Sequence, residues 1–219
     1  MPIEVVDLSQ GPSLVNPLLA EIRDVGIQGD PLRFRRNLER FGEVFAVEIS
    51  RRLDYAPRVV STPLGAVQVP VLREQPVLAT ILRAGLPLHQ GLLNAFDRAD
   101  NAFVSAYRKP HGAGEVFEVE IEYLASPSLN GRTVILSDPM LATGSSMVLA
   151  WKALLERGEP AHVHVVSVIA SRQGVENVRE AMPGNTTIWV AAVDPELDSR
   201  AYIVPGLGDA GDLSYGRKD

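Results

Sequence analysis

A chain of 219 residues without cysteine, carrying a formal charge of −6, has room for one large α/β domain with a well-buried core, and with no Pro, Gly or Ser-rich stretch dividing it a single domain over residues 1–219 is expected. The acidic balance argues against a general nucleic-acid or membrane-surface binder, and the absent cysteines exclude disulfides, thiol nucleophiles and Cys-ligated metals. Met1-Pro2-Ile3-Glu4 sets no basic region before an apolar one and no apolar run approaches the roughly 20 residues that span a bilayer, so a soluble cytoplasmic protein is expected.

Phe34, Leu38, Phe41, Phe45, Ile49 and Leu53 recur at spacings of three and four, which predicts an amphipathic helix from Arg33 to Leu53. Apolar runs predict strands at Val77 to Leu82, Ala102 to Tyr107, Thr133 to Leu136, Val163 to Ala170 and Thr187 to Val193, with helices near Leu86 to Phe96, Ser146 to Arg157 and Val175 to Met182. This alternation implies an α/β fold with a doubly wound, mostly parallel sheet. Ligands of such sheets bind beyond the carboxyl ends of the strands, so the loops starting at Arg83, Arg108 and Asp138 are expected to converge on one crevice. From Pro110 to Ser126 the character changes: after Gly112-Ala113-Gly114, the residues Phe117, Val119, Ile121 and Tyr123 alternate with Glu118, Glu120 and Glu122. That period of two signals a strand with one wet face, either a hairpin or flap outside the main sheet or an ordinary edge hairpin kept soluble by its glutamates.

Three constellations carry chemistry. In Ile81-Leu82-Arg83-Ala84-Gly85-Leu86 an arginine at a strand end precedes two small residues, offering a guanidinium and close backbone approach to a diphosphate; Arg108 holds the same place after the next strand. Either could also be a solvated surface cation. The second runs from Asp138 through Pro139, Met140, Leu141, Ala142, Thr143, Gly144 and Ser145 to Ser146, between a short apolar strand and a helix. Backbone N–H groups and the hydroxyls of Thr143, Ser145 and Ser146 can converge there on one anion at a helix N-terminus. The Asp138 carboxylate could accept from a sugar's vicinal hydroxyls, which implies a ribose phosphate, although a serine here could equally be a plain helix cap. In the third, Tyr202 to Asp212, three glycines fit GxGxxG, but too few residues follow Gly211 for a dinucleotide-binding βαβ unit. What remains is a glycine loop able to present N–H and C=O groups to the edge of a flat heterocycle, or else a tight terminal turn. His162 and His164 alternate on one strand face without evident further ligands, so a structural role is expected rather than a metal.

The order Val134-Ile135-Leu136-Ser137-Asp138-Pro139-Met140-Leu141-Ala142-Thr143-Gly144 closely resembles the ribose-phosphate loop of uracil phosphoribosyltransferases, which reads DPMLATGGS, with Ser145 in place of a second glycine. Residues 81–86 (ILRAGL) and Tyr107-Arg108 resemble the family's diphosphate-end segments, and residues 202–212 (YIVPGLGDAGD) resemble its uracil signature with Val204 for isoleucine. Together with a weaker amino-terminal match, the resemblance covers nearly the whole chain. The resemblance implies a type I phosphoribosyltransferase fold with an additional β-hairpin flap at about 108–126 and a base-binding loop at about 202–212. It implies a glycosyltransferase that converts uracil and 5-phosphoribosyl 1-diphosphate (PRPP) to UMP and diphosphate in pyrimidine salvage, with Mg²⁺.

By the same resemblance Arg83 and Arg108 contact the diphosphate end of PRPP, and Asp138 through Ser146 hold its ribose phosphate. Ile203, Gly208, Asp209 and Ala210 read uracil, while Asp209 faces the metal-bound diphosphate and joins Asp138, Arg83 and Arg108 in the catalytic set. Some relatives are activated by GTP and relatives form dimers or tetramers; a GTP effector and a homodimer or homotetramer are therefore carried as expectations, with no residue set assigned to either. The competing reading is a non-catalytic, nucleotide-sensing regulator on the same fold. The acidic charge and the absence of a basic stripe weigh against an RNA partner for it.

Overall fold

A computed structural model describes residues 3–109 and 118–217, with the backbone alone described at 106–109 and 118–121. The chain opens with β1 (Glu4–Asp7), α1 (Val15–Arg23) and α2 (Pro31–Ser50), then β2 (Tyr55–Thr62), β3 (Gly65–Leu72), β4 (Val77–Leu82) and α3 (Leu86–Ala95). Next come β5 (Asp100–Lys109), β6 (Glu118–Ala125), β7 (Thr133–Ser137), the short β8 (Met140–Leu141) and α4 (Ser145–Leu155). It closes with β9 (His162–Ser171), α5 (Arg172–Ala181), β10 (Thr186–Asp194), β11 (Glu196–Leu197), β12 (Ile203–Val204) and α6 (Ala210–Tyr215).

The apolar runs become buried parallel strands, because only a strand covered on both faces can be apolar at every position. The main sheet has the order β1-β10-β9-β7-β4-β5-β6, with β8 also laddered onto β9. All its pairings are parallel except β5 with β6. One face packs on α1, α2 and α3 through Leu19, Phe34, Phe41, Leu88 and Trp189. The other packs on α4 and α5 through Met147, Trp151, Val175 and Val178. From β4 the chain steps outward to β5 on one side, while β7 lies on the other, so the strand order reverses between β4 and β7. That reversal opens a crevice at the carboxyl ends of these two strands.

Of the two readings of the segment ending at Ser126, the edge hairpin is the one found. The described strand β6 pairs antiparallel with β5 from Phe103↔Ala125 to Lys109↔Glu118 and so forms the edge of the main sheet, not a flap outside it. The hairpin's connection, including Phe117 and Gly112 to Gly114, lies outside the described residues. The predicted helix from Arg33 to Leu53 is present as α2 but starts at Pro31 and ends at Ser50. Asp30 caps its start, accepting the N–H groups of Leu32 and Arg33. Past Ser50 the backbone tightens, Arg52 donating to the Ile49 carbonyl at 2.9 Å, while Leu53 still packs on the same core and so continues the apolar period.

An antiparallel ribbon of β2 and β3 projects from the body with Val59, Leu64 and Val67 exposed. Gly42 of α2 and Gly91 of α3 meet at a helix crossing where a Cβ on Gly42 would run into the Leu88 carbonyl and one on Gly91 into that of Glu39. The two strand histidines are hydrogen-bonding members of the sheet: His162 Nε2 lies 3.1 Å from Thr187 Oγ1, and Trp189 Nε1 donates to His164 Nδ1 at 3.1 Å. Burial, with the neighbouring His162 and Arg52 charges, pushes the His164 pKa down to about 3, so its ring is neutral at ordinary pH. Among the described residues no helix is long and apolar enough to cross a membrane.

Candidate active site

Three of the sequence-selected segments end at the crevice: the turn after β4 that carries Arg83, the loop after β7 that carries Asp138, and the segment from Ile203 to Ala210. Asp138 is fixed at the strand end by its own peptide. Its N–H donates to the Val166 carbonyl at 3.1 Å and its carbonyl accepts from Ser167 Oγ at 2.7 Å, while one carboxylate oxygen takes the Met140 N–H at 3.3 Å. Burial pushes the Asp138 carboxyl up to about 7; the Met140 N–H opposes the shift and the Asp209 carboxylate adds to it. Asp209 is therefore close enough to be felt electrostatically, although the two residues lie in distant segments.

The loop from 140 to 146 is held from behind. Ser171 Oγ donates to the Ala142 carbonyl at 2.6 Å and Asn177 Nδ2 to the Thr143 carbonyl at 2.9 Å. A Cβ on Gly174 would run into the Ala142 carbonyl, so the start of α5 lies directly under the loop. Gly144 takes φ +80°, a left-handed conformation that favours glycine, and leads into α4 without a side-chain cap. The amino end of α4 thus keeps N–H groups for an anion, beside Thr143 Oγ1 and Ser145 Oγ, which lie 3.0 Å apart. Ser145, which stands in place of glycine, is exposed and meets Thr143 through its hydroxyl. Leu141 does not turn toward the crevice: its side chain is buried in the core under α4 and α5, leaving only its backbone to the loop, and Pro139 is buried likewise.

Arg83 is half-buried and directed at α6, Nη2 donating to Asp212 Oδ1 at 3.0 Å and to the Gly216 carbonyl at 2.8 Å. Its buried Nε has no partner among the described residues. Gly211 lies between the functional groups: a Cβ there would meet Asp209 Oδ1 at 3.1 Å and Arg83 Nε at 3.7 Å. Asp209 also caps α6 by accepting the Asp212 N–H at 2.9 Å. The structure so brings Arg83, Asp138 and Asp209 to one place. For Arg108 it gives the backbone alone, in β5 opposite Val119, on the strand beside β4.

In the last loop Ile203 and Ala210 are buried, whereas Gly208 and Asp209 between them are exposed. Gly208 has φ +91° and open space where a Cβ would stand. The loop is anchored at Gly206, whose N–H donates to Asp194 Oδ2 at 2.9 Å and whose carbonyl accepts from Arg23 Nη1 at 3.0 Å. Sequence reading did not select Arg23, Asp194, Ser167, Ser171, Gly174, Asn177 or Asp212. The two serines carried a faint signal, as hydroxyls interrupting or ending the apolar part of the strand, Val165 to Ala170.

The crevice between β4 and β7, the anion loop that opens from it and the arginine turn beside it are the plan of a type I phosphoribosyltransferase. Comparison with known proteins narrows that class. The chain belongs to the uracil phosphoribosyltransferase family, whose model matches residues 10–216. It is 57% identical over 216 residues to a uracil phosphoribosyltransferase of Porphyromonas gingivalis, covering 99% of this chain and 100% of that protein. A uracil phosphoribosyltransferase of Pyrobaculum islandicum is 38% identical over 218 residues, covering 98% of this chain and 99% of that one. Among solved structures, the AQ2163 protein from Aquifex aeolicus superposes with a TM-score of 0.86 at 31% identity, covering 97% of this chain and 98% of the other.

Proposed function

We propose that the chain transfers the phosphoribosyl group of PRPP to N1 of uracil, releasing diphosphate and forming UMP. The observation that carries this reading is the meeting of Asp138, beside an uncapped helix N-terminus, with Asp209 of the carboxy-terminal glycine loop. The segment from Met140 to Ser146 takes the 5′-phosphate through backbone N–H groups and the Thr143, Ser145 and Ser146 hydroxyls. Asp138, ionised, accepts from the ribose hydroxyls in front of it. As the bond to diphosphate stretches, positive charge grows on the ribose ring and negative charge on the leaving group, so fixed charges and positioning supply the catalysis and no nucleophilic side chain is needed.

Uracil presents acceptor, donor, acceptor along O2, N3–H and O4, which fixed main-chain groups of Ile203 and of Gly208 to Ala210 complement. Cytosine would leave a donor and an acceptor unmatched at about 1–3 kcal/mol each. Arg83, with a free Nε, and Arg108 draw the diphosphate. The donor set fits Mg²⁺ held mainly by PRPP: among the described residues no three potential metal ligands cluster, while the Asp209 charge is felt at Asp138 in the same cleft. When bound, Mg²⁺ supplies positive charge to the departing diphosphate, with Asp209 facing it.

The same resemblance supports pyrimidine salvage in the cytoplasm, a GTP effector and a homodimer or homotetramer. Self-association is favoured further by the β2–β3 ribbon, since a two-stranded ribbon with apolar residues on its surface is marginal when left alone in water. A steady-state assay with PRPP, Mg²⁺ and uracil, with cytosine, orotate, adenine and hypoxanthine in parallel, tests the function. UMP from uracil alone is the expected result. Product from another base would overturn the reading of the glycine loop, and binding of PRPP or UMP without any product would favour the nucleotide-sensing regulator.

A further inference from the structure

We propose that Arg23 and Asp194 form a clamp that positions the base-reading loop and sets the affinity for the base without touching it. This rests on the reading of residues 203–210 as the uracil site. Arg23 is the last residue of α1 and Asp194 the last of β10, and they meet in a two-pronged pair, Nη1 to Oδ2 and Nη2 to Oδ1, both at 2.8 Å. The Asp194 side chain is only 8% exposed and that of Arg23 23%, so the geometry is shielded from competing water and held in one orientation.

Among the described residues the two side chains share one further target, the two peptide groups of Gly206. Asp194 Oδ2 accepts its N–H at 2.9 Å and Arg23 Nη1 donates to its carbonyl at 3.0 Å. Gly206 is in turn folded against the start of the loop: it takes φ +56°, and a Cβ there would run into the Ile203 carbonyl. Ile203 and Gly208, both assigned to the base, therefore flank a residue whose position is dictated by two charged side chains from other parts of the chain. Gly208, at φ +91° with open space where a Cβ would stand, has no comparable side-chain anchor among the described residues. Main-chain recognition of a heterocycle demands placement to a fraction of an ångström, and a free glycine turn cannot supply it. The sheet does not need the pair, since Asp194 already closes the β10 ladder opposite Ser171 through its backbone.

The test compares wild type with Arg23→Ala, Arg23→Lys and Asp194→Asn. Steady-state KM is measured for uracil and for PRPP, PRPP affinity is titrated without uracil, and hydrogen exchange is followed at residues 203–209 and 143–147. Arg23→Ala is expected to raise the uracil KM about tenfold or more, as loss of positioning at a binding site does, with PRPP affinity within about twofold and faster exchange confined to 203–209. Arg23→Lys, which keeps the charge but loses the fork, is expected to recover part of the uracil KM. Should the alanine variant fail to fold, Arg23→Lys and Asp194→Asn decide by the same split between the two substrates. An unchanged uracil KM, or equal rises for uracil and PRPP, overturns the clamp. No UMP from the wild type overturns instead the base-site reading on which the clamp rests.

Discussion

Arg83 donates to the Asp212 carboxylate at 3.0 Å, so the arginine assigned to the diphosphate is held by the helix that follows the base loop. The ends of the crevice that receive the two substrates are thereby joined through one ion pair. Both side chains are about one-third exposed, which places the pair among those worth about 0–1 kcal/mol. For the guanidinium to turn onto a diphosphate, this contact has to yield. Asp212→Asn is accordingly expected to tighten PRPP binding by up to about fivefold, the factor that corresponds to that energy. Titration of the variant with Mg²⁺ and PRPP checks it; weaker binding would show that Asp212 holds the arginine ready rather than competing for it.

The proposed phosphate loop rests on Gly174 at the start of α5, directly beneath it. A side chain at Gly174 would run into the Ala142 carbonyl from behind. Gly174→Ala is expected to cost about 1–3 kcal/mol of stability by overpacking and to raise the PRPP KM with the uracil KM unchanged. Chemical denaturation paired with a two-substrate kinetic grid measures both. A stable variant with normal PRPP kinetics would mean that the loop gives way without consequence.

Asp138 makes the site sensitive to pH. Its carboxyl is raised to about 7, mainly by burial, whereas the unfolded chain titrates it near the ordinary value of 3.8. Between these values the folded state holds a proton that the unfolded state has released. The stability this residue contributes is fully present below about 4, falls as pH rises to about 7, and is constant above. Asp138→Asn cannot titrate and is expected to lose this slope, gaining on wild type by on the order of 1–3 kcal/mol between pH 4 and pH 8. Urea denaturation at several pH values reads the difference. With the ionised carboxylate proposed to accept from the ribose hydroxyls, PRPP affinity should rise more steeply from pH 6 to pH 8 in the wild type than in the variant, where only the ligand's own phosphates titrate.

Asp209 has two duties that one substitution separates. It caps α6 by accepting the Asp212 N–H at 2.9 Å, and its charge is felt at Asp138. Asparagine caps helices as well as aspartate, so Asp209→Asn is expected to keep stability within about 0.5 kcal/mol. Most of kcat should be lost, since the negative charge proposed to face the metal-bound diphosphate is gone. Thermal unfolding beside turnover with saturating substrates tests the separation, and wild-type kcat would remove Asp209 from the mechanism.

What the chain discloses in one dimension follows from how each part is stabilised. β4 is legible from end to end because Val77 to Leu82 is a continuous apolar run buried on both faces. Asp138, Gly144 and Arg83 are legible because strand ends and helix starts write short local signatures. The β2–β3 ribbon escaped notice: it buries little, carries Pro57 and Pro70, and shows no sustained alternation of apolar and polar residues. β6 is legible as a strand, but its partner is not, because pairing with β5 is a property of the fold and not of the alternation. Arg23 and Asp194 could not have been paired in advance, being 171 residues apart. Nothing near either residue in the sequence marks it as belonging to the loop it holds.

The short ladder of β8 on β9 bears on how the first substrate is received. Met140 and Leu141 pair with Ile169 and Ala170 on the same strand that, lower down, carries β7. The anion loop is thus bracketed by sheet hydrogen bonds on one side and a helix on the other, and its ordering, about 1–2 kcal/mol per residue for a free segment, is completed during folding. Calorimetry of PRPP binding should therefore show a small entropic penalty, because the protein brings to the encounter a receptor that is already frozen into shape.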